Sequence, residues 1–279
     1  MIAAGNIIED DRAVTTRIYP DSAAFVGHSW RALWRMVHTM PRLWISLVVL
    51  SALIWRIDVY FGGSDYRMLL NPSLSVAAVV RSAGIRLISG ILYAAALMIA
   101  LRAWLLGDRA DRPVWRTPSG FGAFAAWYVG QIAFLEGIKV FAVSIGLRGE
   151  ALFGIVVTTA IIGSLGFAWV FQLLPQLAVA VDDAGFRQAV RDGRGRYWRY
   201  LGLMMIATAQ SSIVQFPMIL LVAIGSYTLH TKNGVYYSAL YLAWDMGARW
   251  VPATIGLVPI VILTARVQAR LFAEARATV

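Results

Sequence analysis

The sequence contains no cysteine, which excludes a disulfide framework, a zinc–thiolate cluster and thiol chemistry, and leaves the redox compartment open. Histidine is nearly as scarce. His28, His38 and His230 are scattered along the chain, so no metal site is expected. Lysine occurs only at Lys139 and Lys232, and arginine carries almost all of the +10 net charge. Charge of either sign is in short supply: 14% of residues are charged and 59% hydrophobic, where a soluble domain has roughly 25% charged residues. Also missing are a phosphate-cradling glycine loop, a His-Glu metal array and a Gly-x-Ser-x-Gly elbow. No catalytic residue or cofactor can be nominated, and the chain is not expected to be an enzyme. The segment containing Glu9, Asp10 and Asp11 has neither the basic head nor the apolar heart of a signal peptide.

What is abundant is long apolar runs. About twenty consecutive apolar residues in a helix are needed to cross ~30 Å of hydrocarbon, because every backbone group must be satisfied within the bilayer. Six stretches meet that length, near residues 43–61, 85–106, 121–147, 151–181, 198–227 and 239–265. They leave no room for a separate soluble domain with its own core. The fold class expected is all-α, a polytopic membrane helix bundle of about six transmembrane helices. It comprises a short cytoplasmic segment, 1–21, and one membrane-embedded domain, 22–279. Pro175, Pro217, Pro252 and Pro259 are expected bend points, since each removes a backbone donor.

The positive charges orient this bundle, because short cytoplasmic connections carry the excess of Arg and Lys. Five precede the first span (Arg12, Arg17, Arg31, Arg35, Arg42), four follow the second (Arg102, Arg109, Arg112, Arg116) and five follow the fourth (Arg187, Arg191, Arg194, Arg196, Arg199). Arg266, Arg270 and Arg276 follow the sixth. Opposite these stand only Arg67, Arg81, Arg148 and Lys232. The alternation places both termini in the cytoplasm of a bacterial inner membrane. Anionic headgroups, rather than nucleic acid, become the nearest partner for the positive charge.

Two cytoplasmic segments are more than connections. In residues 22–40 the apolar Val26, Trp30, Leu33, Trp34 and Val37 recur at helical spacing among His28, Arg31, Arg35 and His38. That pattern predicts a basic amphipathic helix lying in the interface. Residues 182–199 repeat it more weakly around Phe186, Ala189 and Val190, with Gly193 and Gly195 expected to end the helix. Each segment leads into a span through an Arg-x-Trp step, Arg42-Leu43-Trp44 and Arg196-Tyr197-Trp198. Arginine pairs with phosphate and indole prefers headgroup level, so Trp30, Trp34, Arg42, Trp44 and Trp198 are expected interfacial anchors. Arg191, Arg194, Arg196 and Arg199 serve either as anchors or as a site for an anionic lipid headgroup. The repeated device invites a duplication, but both copies lie on the cytoplasmic side with four spans between them, so a three-plus-three repeat conflicts with the orientation.

Ionisable residues inside spans are costly and therefore functional candidates by default. Glu136 and Lys139 stand three apart, Asp245 and Arg249 four apart. Those spacings place each pair on one helix face, where it can neutralise itself. The choice between a structural pair and a proton or solute path stays open at this level. Arg56 and Asp58, near the outer end of the first span, are expected to snorkel outward.

The stretch from Phe186 to Leu203, a basic amphipathic helix followed by Tyr197-Trp198 and Leu201-Gly202, resembles an element of bacterial multi-span membrane proteins. Those proteins are related to the membrane domain of glycerophosphoryl diester phosphodiesterases. Ser29-Trp30-Arg31-Ala32-Leu33-Trp34-Arg35 and Leu101-Arg102-Ala103-Trp104-Leu105-Leu106-Gly107 look like their other cytoplasmic elements. The resemblance implies a membrane protein without an assigned reaction, serving envelope or lipid homeostasis. Membrane lipids and a protein partner in the membrane are the partners expected, and oligomeric state is left open. No phosphodiesterase barrel is present to carry the enzymatic activity. Gln188-Ala189-Val190 with Gly193 also looks similar to the cytoplasmic coupling loop in permease subunits of ATP-driven transporters. It departs from that signature: Gln replaces Glu, the Gly comes one residue early and no Leu-Pro follows.

Overall fold

A computed structural model describes residues 22–60, 75–107, 120–179, 185–233 and 254–277. Among these the chain is helical and carries no strand. In order, the helices are α1 (Ser22–Thr39), α2 (Pro41–Tyr60), α3 (Val76–Leu106), α4 (Gly120–Ser144), α5 (Gly149–Ala168), α6 (Leu173–Ala178), α7 (Phe186–Gly193), α8 (Tyr197–Asn233) and α9 (Leu257–Ala277). Four of them are long and apolar enough to cross a membrane: α3, α4, α5 and the 197–221 part of α8. The pair α1–α2 would supply a fifth and is bent by 89° at its break.

Local chemistry sets the boundaries. Pro41 opens α2 in the first helical position, where its missing N–H costs nothing. The Met40 carbonyl accepts from the amides of Leu43 and Trp44 and so starts the new helix at a right angle to the old one. α3 begins at Val76, earlier than the apolar run alone suggests, because the Ser75 hydroxyl caps the amide of Ala78. It ends at Gly107 with φ 69°, a left-handed position natural to glycine. Between α4 and α5 the Arg148 guanidinium donates to the carbonyls of Val143 (2.6 Å) and Leu147 (2.7 Å). It thereby satisfies acceptors that the end of α4 leaves open.

The run expected as one span over 151–181 is interrupted. α5 stops at Ala168, a turn covers Trp169 to Gln172, and α6 starts at Leu173. Pro175 falls in the first turn of α6, where it is tolerated; a continuous helix would set its ring against the Phe171 carbonyl. Pro259 sits likewise in the first turn of α9. α8, by contrast, runs through Pro217.

The bundle is built on the antiparallel pair α3–α4, with α9 packed against α3. Gly90 fixes the closeness of α3 and α4: a Cβ there would lie 2.7 Å from Ile132 Cδ1. Small residues let membrane helices approach in this way, and packing, rather than water exclusion, then rewards the contact. Along α9 the side chains are buried almost all round, from Val258 through Ile262 and Val267 to Leu271 and Ala275. The helix touches α1, α2, α3, α6, α7 and α8. Arg266, expected in a cytoplasmic tail, is instead inside the bundle, donating to Ser29 Oγ of α1 at 2.6 Å and lying over the Trp104 ring. Outward faces are apolar, including Ile161 and Ile162 on α5 and Ile213, Phe216 and Leu221 on α8. Water would not tolerate such a surface, and a bilayer would.

Candidate functional site

Two clusters collect the polar chemistry. The first joins two helices. Glu136 of α4 accepts from Lys139 one turn along the same helix, and its other oxygen accepts from Arg86 Nη1 of α3 at 3.1 Å. Arg86 lies one turn before Gly90, and Glu136 one turn after Ile132. In an antiparallel pair the close contact at Gly90 therefore brings these two charges face to face. Asp58 of α2 is a further buried carboxylate. It is 5% exposed, and its Oδ1 has no hydrogen-bond partner. The outward snorkelling expected for Asp58 is not what the structure has: its side chain is buried. Glu136 is thus shared by two cations, of which only Arg86 keeps a large exposed fraction, 42% of its side chain. The spacing of Glu136 and Lys139 was readable along one helix; Arg86 was not, because its partnership depends on interhelical register. Asp245 and Arg249 lie outside the described residues.

The second cluster surrounds α7. Gly185 starts this helix, with its carbonyl accepting from Ala189 N at 2.9 Å. Gly193 ends it against Phe171, where a Cβ would come within 3.2 Å of the ring. Asp192 accepts from Gln176 of α6 and from Gln188, both at 2.9 Å, so α7 is tied down on its polar side. Gly195 turns the chain at φ 80° into α8. Tyr200 then stacks on Phe171, and the Tyr197 hydroxyl donates to the Leu165 carbonyl at 3.2 Å. At the break itself Gln172 is fully buried, with neither amide atom hydrogen-bonded.

The four arginines nominated here separate. Arg199 makes a two-pronged pair with Glu274 of α9, at 2.7 and 3.2 Å, and Arg270 also reaches Glu274. Arg196 donates to the Asp192 carbonyl at 3.2 Å, bracing the turn. Arg191 is exposed and held by Gln188 of its own helix; Arg194 is exposed at the C-cap. Exposed Arg187 joins these two on the free side of α7. Glu274 was the missed partner, hidden because it sits 75 residues away in sequence.

The nominated anchors separate as well. Trp34 is 63% exposed and stacks with His38, Arg42 is exposed and Trp198 is 79% exposed. Trp30 is half-buried against the main core. Trp44, expected at headgroup level, is buried at 3% exposure, with Nε1 donating to the Met36 carbonyl at 3.1 Å. The right-angle turn at Pro41 folds α1 back over that side chain. Among the described residues no three His, Asp or Glu side chains converge in a metal-holding group. Comparison with protein-family models, with curated proteins and with solved structures gives no match.

Proposed function

We propose that this chain is a six-span protein of the bacterial inner membrane with cytoplasmic termini, acting without catalysis as a lipid-interacting or assembly partner in envelope homeostasis. The observation that carries this reading is the pairing of exposed arginine with exposed indole on both short helices of the basic side. On α1 and its exit these are Arg31, Trp34, Arg35 and Arg42; around α7 they are Arg187, Arg191, Arg194 and Trp198. Such side chains suit the headgroup layer, the rings at its apolar edge and the guanidinium groups among phosphates. The 89° bend at Pro41 supports the same reading, since a helix perpendicular to a span lies along the surface.

Exposed cytoplasmic charges each contribute ~1 kcal/mol toward an anionic surface. Arg191→Gln with Arg194→Gln should lower retention of anionic phospholipid by purified protein in native mass spectrometry and reduce the salt sensitivity of what remains. Arg199→Gln should do so far less, because that side chain is engaged with Glu274. Equal retention in the double variant and the wild type would leave the basic face as an orientation signal only.

One feature favours a second reading, a permease subunit of an ATP-driven transporter: α7 is an eight-residue helix between α5–α6 and α8, docked through Gln176 and Asp192 as a force-transmitting contact would be. Stoichiometric recovery of a soluble ATPase in mild detergent, lost on replacing Gly193, would select that reading over the first.

A further inference from the structure

Arg86 presents a problem that the protein alone does not solve. α3, with 31 residues, is about 46 Å long, whereas the hydrocarbon layer is about 30 Å thick, so each end projects by about 8 Å if the helix is centred. Arg86 is ten residues past Val76, about 15 Å along the helix, and in a centred helix would sit about 7 Å inside the apolar layer. Its guanidinium has five N–H donors, and among the described residues the one partner found for it is Glu136. One turn away on the same face of α3, Ser82 Oγ has no hydrogen-bond partner and the Ser89 hydroxyl donates to the Ile85 carbonyl, so neither is bonded to Arg86.

Glu136, Lys139 and Asp58 are buried. Arg86 is the member of the cluster whose side chain reaches the bundle surface, 42% exposed. Donors facing acyl chains are expensive, and a long arginine side chain relieves that cost by drawing a phosphate down or rising to meet one. Glu136 anchors one prong of the fork and leaves the rest free to clasp a second oxyanion.

We propose that Arg86, held by Glu136, is a binding site for the phosphate group of a membrane phospholipid, whatever its headgroup. It is separate from the basic face around α7. The site does not depend on which way the bundle is oriented in the membrane.

The test uses the full-length protein, delipidated in mild detergent and offered phosphatidylcholine, which has no net charge to attract the α7 arginines. Native mass spectrometry should find retained phosphatidylcholine on the wild type, about tenfold less on Arg86→Gln and an intermediate amount on Arg86→Lys. Diacylglycerol with the same tails should be retained by none. If Arg86→Gln does not fold, the pair Arg86→Gln with Glu136→Gln removes both partners and should show the same loss. Undiminished retention in a folded Arg86 variant would overturn the site. Retention of diacylglycerol equal to that of phosphatidylcholine would reduce it to an apolar groove, and release of lipid by inorganic phosphate would assign it to a soluble anion. Arg191→Gln with Arg194→Gln should leave phosphatidylcholine retention unchanged, so the two lipid readings fail independently.

Discussion

The two Arg-x-Trp steps, alike in sequence, have opposite fates. Trp44 is buried beneath α1, its indole N–H on the Met36 carbonyl, while Trp198 projects from the start of α8. The difference comes from what precedes each step. Pro41 turns the chain through a right angle immediately before Trp44, and α1 and α2 close on it. Ahead of Trp198 the turn at Gly195 gives the packing role to its neighbours: Tyr197 meets Trp169 and Tyr200 stacks on Phe171. A three-residue pattern therefore marks the start of a span without saying which side chain faces the bundle. That depends on helical phase, which the adjoining turn sets.

Trp44→Ala should separate the two steps most strongly, with a loss of about 3–5 kcal/mol, the usual cost of emptying a large aromatic site. Equilibrium unfolding in mixed micelles would measure it, and a loss no greater than that of Trp198→Ala would remove the distinction. The glycines extend the comparison from packed to open surface. Gly90→Leu should cost about 1–3 kcal/mol through overpacking against Ile132, and should also part Arg86 from Glu136. Gly202→Ala, where nothing lies within 4 Å of the new Cβ, should be neutral or slightly stabilising; if both substitutions behave alike, the close α3–α4 approach is not tight in solution. A double-mutant cycle on Arg199 and Glu274 should give a coupling of about 0.2–1 kcal/mol, since Arg199 is two-fifths exposed and screened. A coupling near zero would return Arg199 to the exposed arginines around α7. Smallest of all, Trp198→Ala should change stability by less than about 0.5 kcal/mol. Its effect should appear instead as weaker quenching of the remaining tryptophans by lipids brominated near the headgroup.

Sequence patterning made some of this legible. Helical spacing identified a helix ahead of Pro41, and three-residue spacing paired Glu136 with Lys139, because both signals are local. The start of α3 was hidden by Arg81, which breaks the apolar run although Ser75 caps the helix well upstream. The break after Ala168 was hidden for the opposite reason: residues 169–178 carry no charge to interrupt the run, and only Pro175 marked the spot. Arg86 and Glu274 could not be assigned partners, since each depends on how one helix registers against another. The depth of Arg266 escaped as well, because an arginine after an apolar stretch looks like a cytoplasmic tail until Ser29 and Trp104 are placed around it.

The centrality of α9 sets an order of events during biosynthesis. It follows the other eight described helices in the chain, yet it is the surface on which α1, α3, α6 and α8 meet. Until it leaves the ribosome, α3 presents an unfilled face and Ser29 waits without its arginine. The earlier helices can enter the bilayer one by one, but they settle into their final arrangement only when a segment more than two hundred residues downstream arrives. In that interval the groove shaped for α9 stands open on the half-built bundle.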